Sequence, residues 1–583
     1  MSSRSERVSA LVDRGGRALR GDRTVQAVLL LAVLGALLRL PLLGRRIAHF
    51  DEGRVNYWTL HFLETGEFHY RYIIHGPFVQ HVDRVLFAVL GPTDFAARLP
   101  IAVVGSLLPL AALLFRERLR DVEVAALAGF LALNPLLLYY SRFMRSTLLV
   151  AGFSFVAFGL FVRAIDTGRR RYAYAGAFAW ALAFAAKENA LVYLLCWLGA
   201  SALLLDHWLF RPGTTTSGFD RLRGWYRGVA DRPDDRIRPI PEAALLVSTS
   251  LLVVGAVTLF FYAPRSPDGG VGLWSTVFAP WTLPELVDAT VADITTGLDY
   301  WFGRPGETEN LASTYRTRLG KFVGVGTEYA AALAAFAVAG TVLERYVADR
   351  PRLIVMFAAY WGFVSVLGYP LGTDIWAAWI IVNAVVPLAI PAAVGLGVLL
   401  RTGRDAYVEN DTVSVAAAGL ILLVIVGQAG VAAATGVYTN TTSADNRLVQ
   451  FAQPSQEMRP SVDEMAAVAA ANDGTDALVY GEPFVDGDTD GRAPPCVKWF
   501  EMLPYPWYLE AHDVQVTCAM NESQLPDRPP PVIIVQKEDY AGEVVVPRSA
   551  LEYVPESYEQ RTFQLRTTAK QVAVFVDPER RPD

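Results

Sequence analysis

The sequence contains little lysine and little charge for its length. Five of its 583 residues are lysine, although lysine and arginine together number 52, so arginine carries nearly all of the positive charge. Charged residues make up 19% of the chain and apolar residues 53%, whereas soluble domains are typically about a quarter charged. This composition excludes a disordered chain and argues against a purely soluble one. No basic stripe with interleaved aromatic residues is present, so no nucleic-acid partner is expected.

Cysteine is scarce as well, with three residues in the chain. Cys196 lies in an apolar run, where a free cysteine is usually an inert small hydrophobe. Cys496 and Cys518 lie in the C-terminal part and can form a disulfide if that part faces the outside. Two cysteines do not make a metal site, and the sequence alone does not show that they meet.

Charge divides the chain into two parts. Residues 455–583 carry a net charge of −12, and the residues before them carry +6. Little lysine beside an acidic part is typical of salt-loving hosts, although GC-rich coding gives the same arginine excess. We predict a transmembrane domain over residues 1–434, a linker over 435–454 and an extracytoplasmic α/β domain over 455–583.

Eleven apolar stretches in the first part approach the length of about 20 residues that crosses a bilayer. They lie near residues 25–43, 99–115, 122–138, 147–165, 172–186, 189–206, 243–262, 328–344, 353–370, 378–400 and 412–434. A segment near 78–90 is interrupted by polar residues and is not counted. The expected fold class is therefore an α-helical polytopic membrane protein of about 11 transmembrane helices, with a C-terminal α/β domain.

Arginine is concentrated in alternate loops between these stretches. The positive-inside rule then places the N-terminus in the cytoplasm of a multi-pass protein of the cell (plasma) membrane. An odd number of spans puts the acidic domain outside. The glycosylation sequons at Asn440 and Asn521 would then lie outside, and the sequon at Asn410 inside.

The acidic tail has the pattern of a small α/β domain. Ser461, with Glu464 at capping-box spacing, predicts a helix that runs to Ala471. Strand-like runs follow at Ala477–Tyr480, Val514–Thr517, Val532–Val535 and Val572–Val576, and the aromatic segment Trp499–Ala511 is expected to be helical. The tail has no glycine-rich phosphate loop, so the chemistry is expected in the membrane domain.

The first outer loop concentrates acids and histidines. Asp51 and Glu52 are adjacent, and five of the seven histidines lie nearby: His49, His61, His69, His75 and His81. One interpretation is an active-site loop with a carboxylate base, in which His49, His75 and His81 face the acceptor. His49 and Asp51 would be able to share a divalent metal, although no ligand spacing here is diagnostic. The alternative is an amphipathic loop helix that lies on the bilayer surface.

Four cations fall at predicted outer ends of spans, where the positive-inside rule disfavours them: Arg98, Arg142, Arg145 and Lys187. They come from different spans at the same depth as Asp51. A shared anion such as a lipid phosphate explains them, since arginine matches phosphate oxygens. Snorkelling to lipid headgroups, with Lys187 paired to Glu188, is the alternative.

Transfer of a sugar from a polyprenyl phosphate needs this combination of groups. A carboxylate accepts the proton of the acceptor hydroxyl, and cations stabilise the charge that develops on the departing phosphate. The acid pair and the four cations would supply both at the outer membrane surface. The expected partners are a polyprenyl- or dolichyl-phosphate-linked sugar and membrane lipids.

Several short motifs resemble those of the C-type glycosyltransferase superfamily, which includes protein O-mannosyltransferases and lipid A aminoarabinose transferases. They are the Asp51-Glu52 loop, His75-Gly-Pro77, Ala97-Arg-Leu-Pro100, Tyr140-Ser-Arg-Phe-Met-Arg145 and Ala186-Lys-Glu-Asn189. Over nearly its whole length, including Pro504-Tyr-Pro-Trp-Tyr-Leu509, the chain is similar to archaeal flippase-associated proteins of N-glycosylation. The resemblance implies a dolichyl-phosphate-sugar donor, Asp51 as base or acceptor orienter, and the four cations near the donor phosphate.

The chain departs from the family at two places. Ser146 follows Arg145 where relatives usually carry an aspartate, and Trp376-Ala-Ala-Trp379 replaces an element resembling Lys-Thr-Pro-Trp. Three functions therefore stay open. They are a glycosyltransferase, a non-catalytic accessory protein for lipid-linked sugar translocation that acts with other glycosylation proteins, and a transporter. The transporter is disfavoured because the only candidate for an acid at mid-span, Asp166, lies near an inner end, and because no inverted repeat or pair of broken helices is visible.

Overall fold

The computed structural model describes residues 22–73, 75–210, 239–266, 270–302, 311–372, 376–485, 491–540, 543–567 and 569–580, with Asp220 and Arg223. The chain divides into two compact units. Unit 1 comprises Met1–Pro41, Ile101–Ala263 and Val287–Val437, and unit 2 comprises Leu42–Pro100, Pro264–Leu286 and Tyr438–Asp583. The first outer loop and the acidic tail therefore belong to the same unit, although most of unit 1 lies between them in the chain.

Helices dominate the chain up to the acidic tail. In chain order they are α1 Arg23–Arg39, α2 Phe50–Thr65, α3 Pro77–Leu90, α4 Asp94–Leu107, α5 Asp121–Leu133, α6 Pro135–Ser141, α7 Ser146–Thr167, α8 Arg170–Ala186, α9 Ala190–Phe210, α10 Pro239–Tyr262, α11 Leu273–Phe278, α12 Leu283–Phe302, α13 Leu311–Tyr329, α14 Ala331–Val342, α15 Leu353–Gly368, α16 Val382–Val408 and α17 Thr412–Ala433.

Five of the described helical segments are long and apolar enough to cross a membrane, or seven if each of two bent pairs counts as one span. The five are Asp94–Phe115, Ser146–Thr167, Glu242–Tyr262, Ala378–Val408 and Thr412–Thr439. The chain is thus a mostly helical membrane protein. The total of 11 spans and the side of the membrane on which each loop lies stay predictions.

One expected span, over residues 122–138, is broken between α5 and α6, which meet at 52°. Pro135 begins α6 and has no N–H to give to the carbonyl of Leu131. Arg39 of α1, which is fully buried, donates instead to the carbonyls of Leu131 and Ala132, at 3.2 and 2.8 Å. A charged side chain from a neighbouring helix therefore satisfies the carbonyls that the break exposes.

Two glycines let α14 and α16 of unit 1 approach closely. A Cβ at Gly340 would lie 1.9 Å from the carbonyl oxygen of Pro391, and one at Gly395 would lie 2.4 Å from that of Phe336. Small residues at such crossings are the usual means of close helix packing in membranes. Any larger residue at Gly340 would force the two backbones apart.

The described tail in unit 2 contains a five-stranded mixed sheet, a separate two-stranded sheet and flanking helices. Its strands are β1 Ala477–Tyr480, β2 Val516–Ala519, β3 Val532–Gln536, β4 Glu538–Tyr540, β5 Glu543–Val545, β6 Glu559–Arg566 and β7 Ala569–Val576. The sheet order is β2-β1-β3-β7-β6, and β4 and β5 pair separately. β1 is parallel to β2 and β3, whereas β7 is antiparallel to β3 and β6. The tail helices are α18 Met458–Ala471, α19 Trp499–Met502, α20 Tyr505–Ala511 and α21 Arg548–Tyr553.

Some expectations for the tail are corrected. The helix begins at Met458, so Ser461 lies inside it and is not its cap. The strand expected at Val514–Thr517 lies two residues later, and β6 was not expected at all. The aromatic segment is helical but forms two short helices. Cys496 and Cys518 form a disulfide, which is the pairing that an oxidising environment would permit.

Candidate active site

The candidate acids lie in the first turn of α2. The imidazole Nδ1 of His49 accepts from the N–H of Asp51 at 2.9 Å, and the carboxylate of Glu52 accepts from the N–H of His49 at 2.9 Å. This reciprocal pair is a capping box, in which the N-terminal N–H groups of the helix find side-chain acceptors. Carboxylates at this end are also favoured by the helix dipole.

Glu52 is committed to an ion-pair network. Its side chain is 1% exposed, and it lies 3.0 Å from Arg46 Nη2 and 2.7 Å from Arg98 Nη2. Burial by itself would raise the pKa of Glu52, but the charges of Arg46 and Arg98 outweigh it and hold that pKa well below its ordinary value. Glu52 is therefore an ionised structural group.

Arg98 directs all of its N–H donors to protein acceptors. Nε and Nη2 donate to Glu52 at 2.9 and 2.7 Å. The remaining donors reach the carbonyls of Leu43, Arg46 and Ile47 at 3.1, 2.8 and 3.4 Å. A guanidinium has five such donors, so this geometry reserves Arg98 for bracing the loop and leaves it no donor for a phosphate.

Asp51 has a different environment from its neighbour. Its side chain is 13% exposed, and its Oδ2 accepts from Gln450 Nε2 at 2.8 Å. The amide of Gln450 helps to hold this carboxylate in place, and the charge of Arg566 acts on the same carboxylate. Two adjacent acids with such different surroundings are suited to different roles.

Arg566, at the end of β6, lies beside the start of α2. It donates to the carbonyls of Phe500 and Glu501 at 3.1 and 3.2 Å, and its guanidinium stacks over Phe50 at 4.8 Å. Burial lowers the pKa of Arg566 to about 10, and the charge of Asp51 opposes that shift. Sequence reasoning missed this residue, since only the fold brings a tail strand to the first loop.

The histidines have packing and capping roles. His49 accepts at Nδ1 from Asp51, so its Nε2 carries the proton that bonds to the carbonyl of Phe451 at 2.8 Å. Both ring nitrogens are thereby used and the ring is neutral. His75 is buried at the start of α3, and His81 packs against the rings of Phe62 and Phe68. Across the described part of the chain, no three metal-ligating side chains are grouped.

Asp94 explains the aromatic motif of the tail. Its carboxylate accepts from the Trp507 indole at 3.1 Å and from the Tyr508 hydroxyl at 2.8 Å, and it pairs with Arg459. Tyr508 in turn accepts from the N–H of Ala48 at 2.8 Å. Asp94 thus anchors α20 to the loop before α2, a role that its position in the sequence did not reveal.

Arg142 in unit 1 holds the end of α1. Its Nη1 lies 3.3, 2.6 and 2.7 Å from the carbonyl oxygens of Leu38, Arg39 and Pro41. Those carbonyls lack helical partners, and a cation there also complements the helix dipole. The contacts use one terminal nitrogen and fix where the guanidinium points.

Arg145 and Lys187 are held by aromatic rings of the same unit. Arg145 is buried and stacks 3.3 Å from the ring of Trp379, a tryptophan of the departing Trp376-Ala-Ala-Trp379 element. The ammonium of Lys187 lies 4.0 Å from the ring of Trp301. Glu188 lies 2.8 Å from the hydroxyl of Tyr262. Aromatic faces stabilise such cations without neutralising them.

Two family models match parts of the chain. Residues 74–218 match the dolichyl-phosphate-mannose-protein mannosyltransferase model. Residues 458–577 match the C-terminal domain of the Agl23 flippase-associated protein. Both family resemblances drawn from the sequence are thereby confirmed. All four candidate cations lie in the first matched segment, and Asp51 precedes it.

Solved structures are similar in fold. ArnT from Cupriavidus metallidurans bound to undecaprenyl phosphate matches with TM-score 0.51 and 15% identity, over 94% of this chain and 97% of that one. The archaeal oligosaccharyltransferase AglB from Archaeoglobus fulgidus, in complex with an inhibitory peptide and a dolichol-phosphate, matches with TM-score 0.48 and 14% identity. That match covers 87% of this chain and 65% of AglB, slightly less than two thirds of its length. No curated protein matches in sequence.

Proposed function

We propose that this chain is a membrane glycosyltransferase that moves a sugar from a polyprenyl (dolichyl) phosphate to an acceptor at the outer membrane face. The observation that carries the proposal is the difference in surroundings between the two acids in the first turn of α2. Glu52 is buried between two arginines, while Asp51 is partly exposed and accepts a hydrogen bond from the amide of Gln450. One acid braces the loop and the other serves as the base.

In the proposed reaction Asp51 takes the proton of the acceptor hydroxyl. The acceptor oxygen bonds to the anomeric carbon as the bond from that carbon to the phosphate oxygen breaks. The electron pair leaves with the polyprenyl phosphate. Arg142, Arg145 and Lys187 stabilise the charge on that phosphate. Arg98 takes a positioning role, because its donors hold Glu52 and three carbonyls.

Variants of the two acids test the proposal. In the native host, Asp51→Asn keeps an acceptor for Gln450 and is expected to fold, yet to lower sugar transfer by a factor of at least about 10². Mass spectrometry of secreted glycans and of the sugar-charged dolichyl phosphate pool would show one sugar missing and its charged lipid accumulating. The half-exposed acid Glu67, changed to Gln, is the matched control and should leave both pools unchanged.

A second function is favoured by a separate observation. The match of residues 458–577 to a flippase-associated domain, with Ser146 where relatives carry an acid, supports an accessory protein for lipid-linked sugar translocation. If Asp51→Asn restores normal glycans to a deletion strain that lacks them, the transferase proposal fails and the accessory function stands.

A further inference from the structure

A short segment of unit 2 presents large aromatic side chains to its surroundings. It comprises residues 272–283, which contain α11 and a helical turn at Pro280–Thr282, and we call it the α11 turn. Phe278 is 85% exposed, Trp281 78% and Trp274 57%. Single exposed apolar side chains are normal at a protein surface, but three large rings so close together in the chain indicate an interaction surface.

Hydrogen bonds hold the α11 turn in this conformation. The buried Thr276 donates its hydroxyl to that of Thr282 at 3.0 Å, and Thr282 donates its own hydroxyl to the carbonyl of Ala279 at 2.8 Å. At the start of the turn, the N–H of Gly272 donates to the hydroxyl of Ser275 at 3.0 Å. The aromatic rings are therefore exposed by a defined conformation, which the polar groups of the turn itself stabilise.

The α11 turn carries no charge. Residues 269–284 contain neither an acidic nor a basic side chain, whereas the rim of an interface between proteins is usually polar. Tryptophan is enriched at the boundary between membrane and water, where its ring meets the acyl chains and its indole N–H meets the headgroups. An uncharged turn with two exposed tryptophans therefore fits a lipid surface.

The α11 turn follows directly on a membrane-spanning helix. α10 contains the candidate span Glu242–Tyr262, and 6% of its most apolar stretch is buried within the protein, so lipid is expected to cover most of that helix. Pro264 is the second residue after the span, and its carbonyl accepts from the N–H of Leu273 at 2.9 Å. Two residues and one hydrogen bond thus connect the end of the span to the first residue of α11.

We propose that the α11 turn inserts into the lipid surface where α10 leaves the membrane. Trp274, Phe278 and Trp281 enter the boundary between headgroups and acyl chains, to a depth of about 5–10 Å. A neutral lipid suffices, because the turn has no charge with which to select an anionic headgroup. In the predicted orientation this is the outer leaflet. The proposal does not rest on sugar transfer.

The inserted turn would support the acid loop from the membrane side. Phe68, in the segment after α2, and Arg265 donate their N–H groups to each other's carbonyl at 2.9 and 2.8 Å. The guanidinium of Arg265 lies 5.9 Å from the ring of Phe68 and 5.9 Å from that of Trp274. The base of the α11 turn is therefore joined to the C-terminal end of the helix whose first turn carries Asp51.

A fluorescent probe on the α11 turn tests the proposal. Phe278→Cys is labelled with the fluorophore NBD in the full chain and placed in nanodiscs of phosphatidylcholine. Cys196 is buried, and Cys496 and Cys518 are paired, so wild type serves as the labelling blank. Spin-labelled phosphatidylcholine should quench the probe and place it about 5–10 Å into the boundary between headgroups and acyl chains. Aqueous iodide should quench it little.

Matched variants control for the label and for the substitution. Tyr540 on β4 is an aromatic residue of unit 2 that is 76% exposed, and a probe on Tyr540→Cys should be quenched by iodide and not by lipid. In labelled Phe278→Cys, adding Trp281→Asp should restore iodide quenching, because a carboxylate is costly within lipid. Adding Leu551→Asp on α21 should not. If Phe278→Cys does not fold, Val277→Cys places the probe on the same turn.

Two results would overturn the proposal. Iodide quenching as strong at Phe278→Cys as at Tyr540→Cys would show that the α11 turn faces water. Protection from both iodide and spin-labelled lipid would show that protein, such as a second copy of the chain, covers it. Quenching by lipid together with protection from iodide is the result that supports insertion.

Discussion

Two arginines depend on Glu52 for their burial. Arg98 is 1% exposed and Arg46 is nearly as buried, and removing the partner of a buried charge is far more costly than replacing a whole pair. Asp51, by contrast, is partly exposed and bonded to an amide. We therefore expect substitution of Glu52 to lower stability and substitution of Asp51 to lower activity.

Glu52→Gln is expected to destabilise unit 2 by about 3–5 kcal/mol, because it removes the carboxylate that two buried guanidiniums share. Thermal unfolding in detergent measures this loss, with Glu67→Gln as the control. The pKa of Glu52 is lowered by folding, so its stabilisation is complete above the ordinary pKa of 4.5 and fades as the pH falls below it. A difference between Glu52→Gln and wild type that persists unchanged in acid would contradict the ion-pair account.

Asp83 on α3 predicts the opposite pH dependence. It is fully buried, and neither carboxylate oxygen meets a donor among the described residues. Burial raises the pKa of Asp83 well above its ordinary value, so folding favours the protonated acid.

Stability should therefore fall as the pH rises through the interval between the ordinary and the folded pKa of Asp83. Asp83→Asn, which stays neutral, should unfold at a higher temperature than wild type at pH 8, and this advantage should shrink towards pH 4. Unfolding temperatures across that range measure it. An advantage that does not vary with pH would show that Asp83 is not a buried acid.

At the scale of elements, two arginines of unit 1 each donate hydrogen bonds to carbonyls at the end of a neighbouring helix. Arg39 of α1 donates to the carbonyls at the end of α5, and Arg142 after α6 donates to the carbonyls at the end of α1. Asn134 takes the N–H of Leu136, which would otherwise serve the carbonyl of Ala132. Each arginine supplies donors to carbonyls that have no backbone N–H partner at a helix end. The bend between α5 and α6 and the position of Arg142 are therefore stabilised by the same pair of side chains.

A double-mutant cycle tests this arrangement. Arg39→Met should destabilise unit 1 by about 3 kcal/mol, since several buried carbonyls lose a charged donor. Pro135→Ala restores an N–H that is able to serve the carbonyl of Leu131. The loss of unfolding free energy in the double variant should therefore be smaller, by about 0.5–1.5 kcal/mol, than the sum of the losses in the two single variants. Strict additivity in unfolding free energies would contradict the arrangement.

The apolar pattern predicted helices better than it predicted their ends and breaks. The stretch 147–165 lies within α7, because a long apolar run in a membrane chain has little alternative to a helix. The break at Pro135 was visible as a residue, but its stabilisation by Arg39 depends on a separate helix. β6 was missed because its alternation is interrupted by Arg561 and Arg566, whose partners lie elsewhere in the fold.

The sequence predicted which acidic and basic residues belong to the candidate site, but it did not predict the role of each. Asp51 and Glu52 look equivalent in the sequence, and only the positions of Arg46 and Arg98 separate them. Gln450 and Arg566 lie about 400 and 500 residues further along, and no local signal marks them. The motif around Trp507 carried the resemblance, but its physical role became clear only from Asp94.

For the whole molecule, membrane orientation gives a direct prediction. Asn410, Asn440 and Asn521 are all exposed, so local burial does not decide which sequon is modified. We expect glycans at Asn440 and Asn521 and none at Asn410, because the acidic tail is predicted to lie outside. Peptide mass spectrometry of the native protein measures this. Modification at Asn410 alone would show that the orientation is the reverse of the one predicted.

Unit 2 is assembled from three segments that are far apart in the chain. The bond between Asp51 and Gln450 spans 399 residues, and that between Ala48 and Tyr508 spans 460. During synthesis the N-terminal segment emerges long before its partners exist. The ribosome must therefore synthesise more than three quarters of the chain before Asp51 acquires Gln450 as a hydrogen-bond partner, so a nascent or prematurely terminated protein carries an acid loop that lacks this contact.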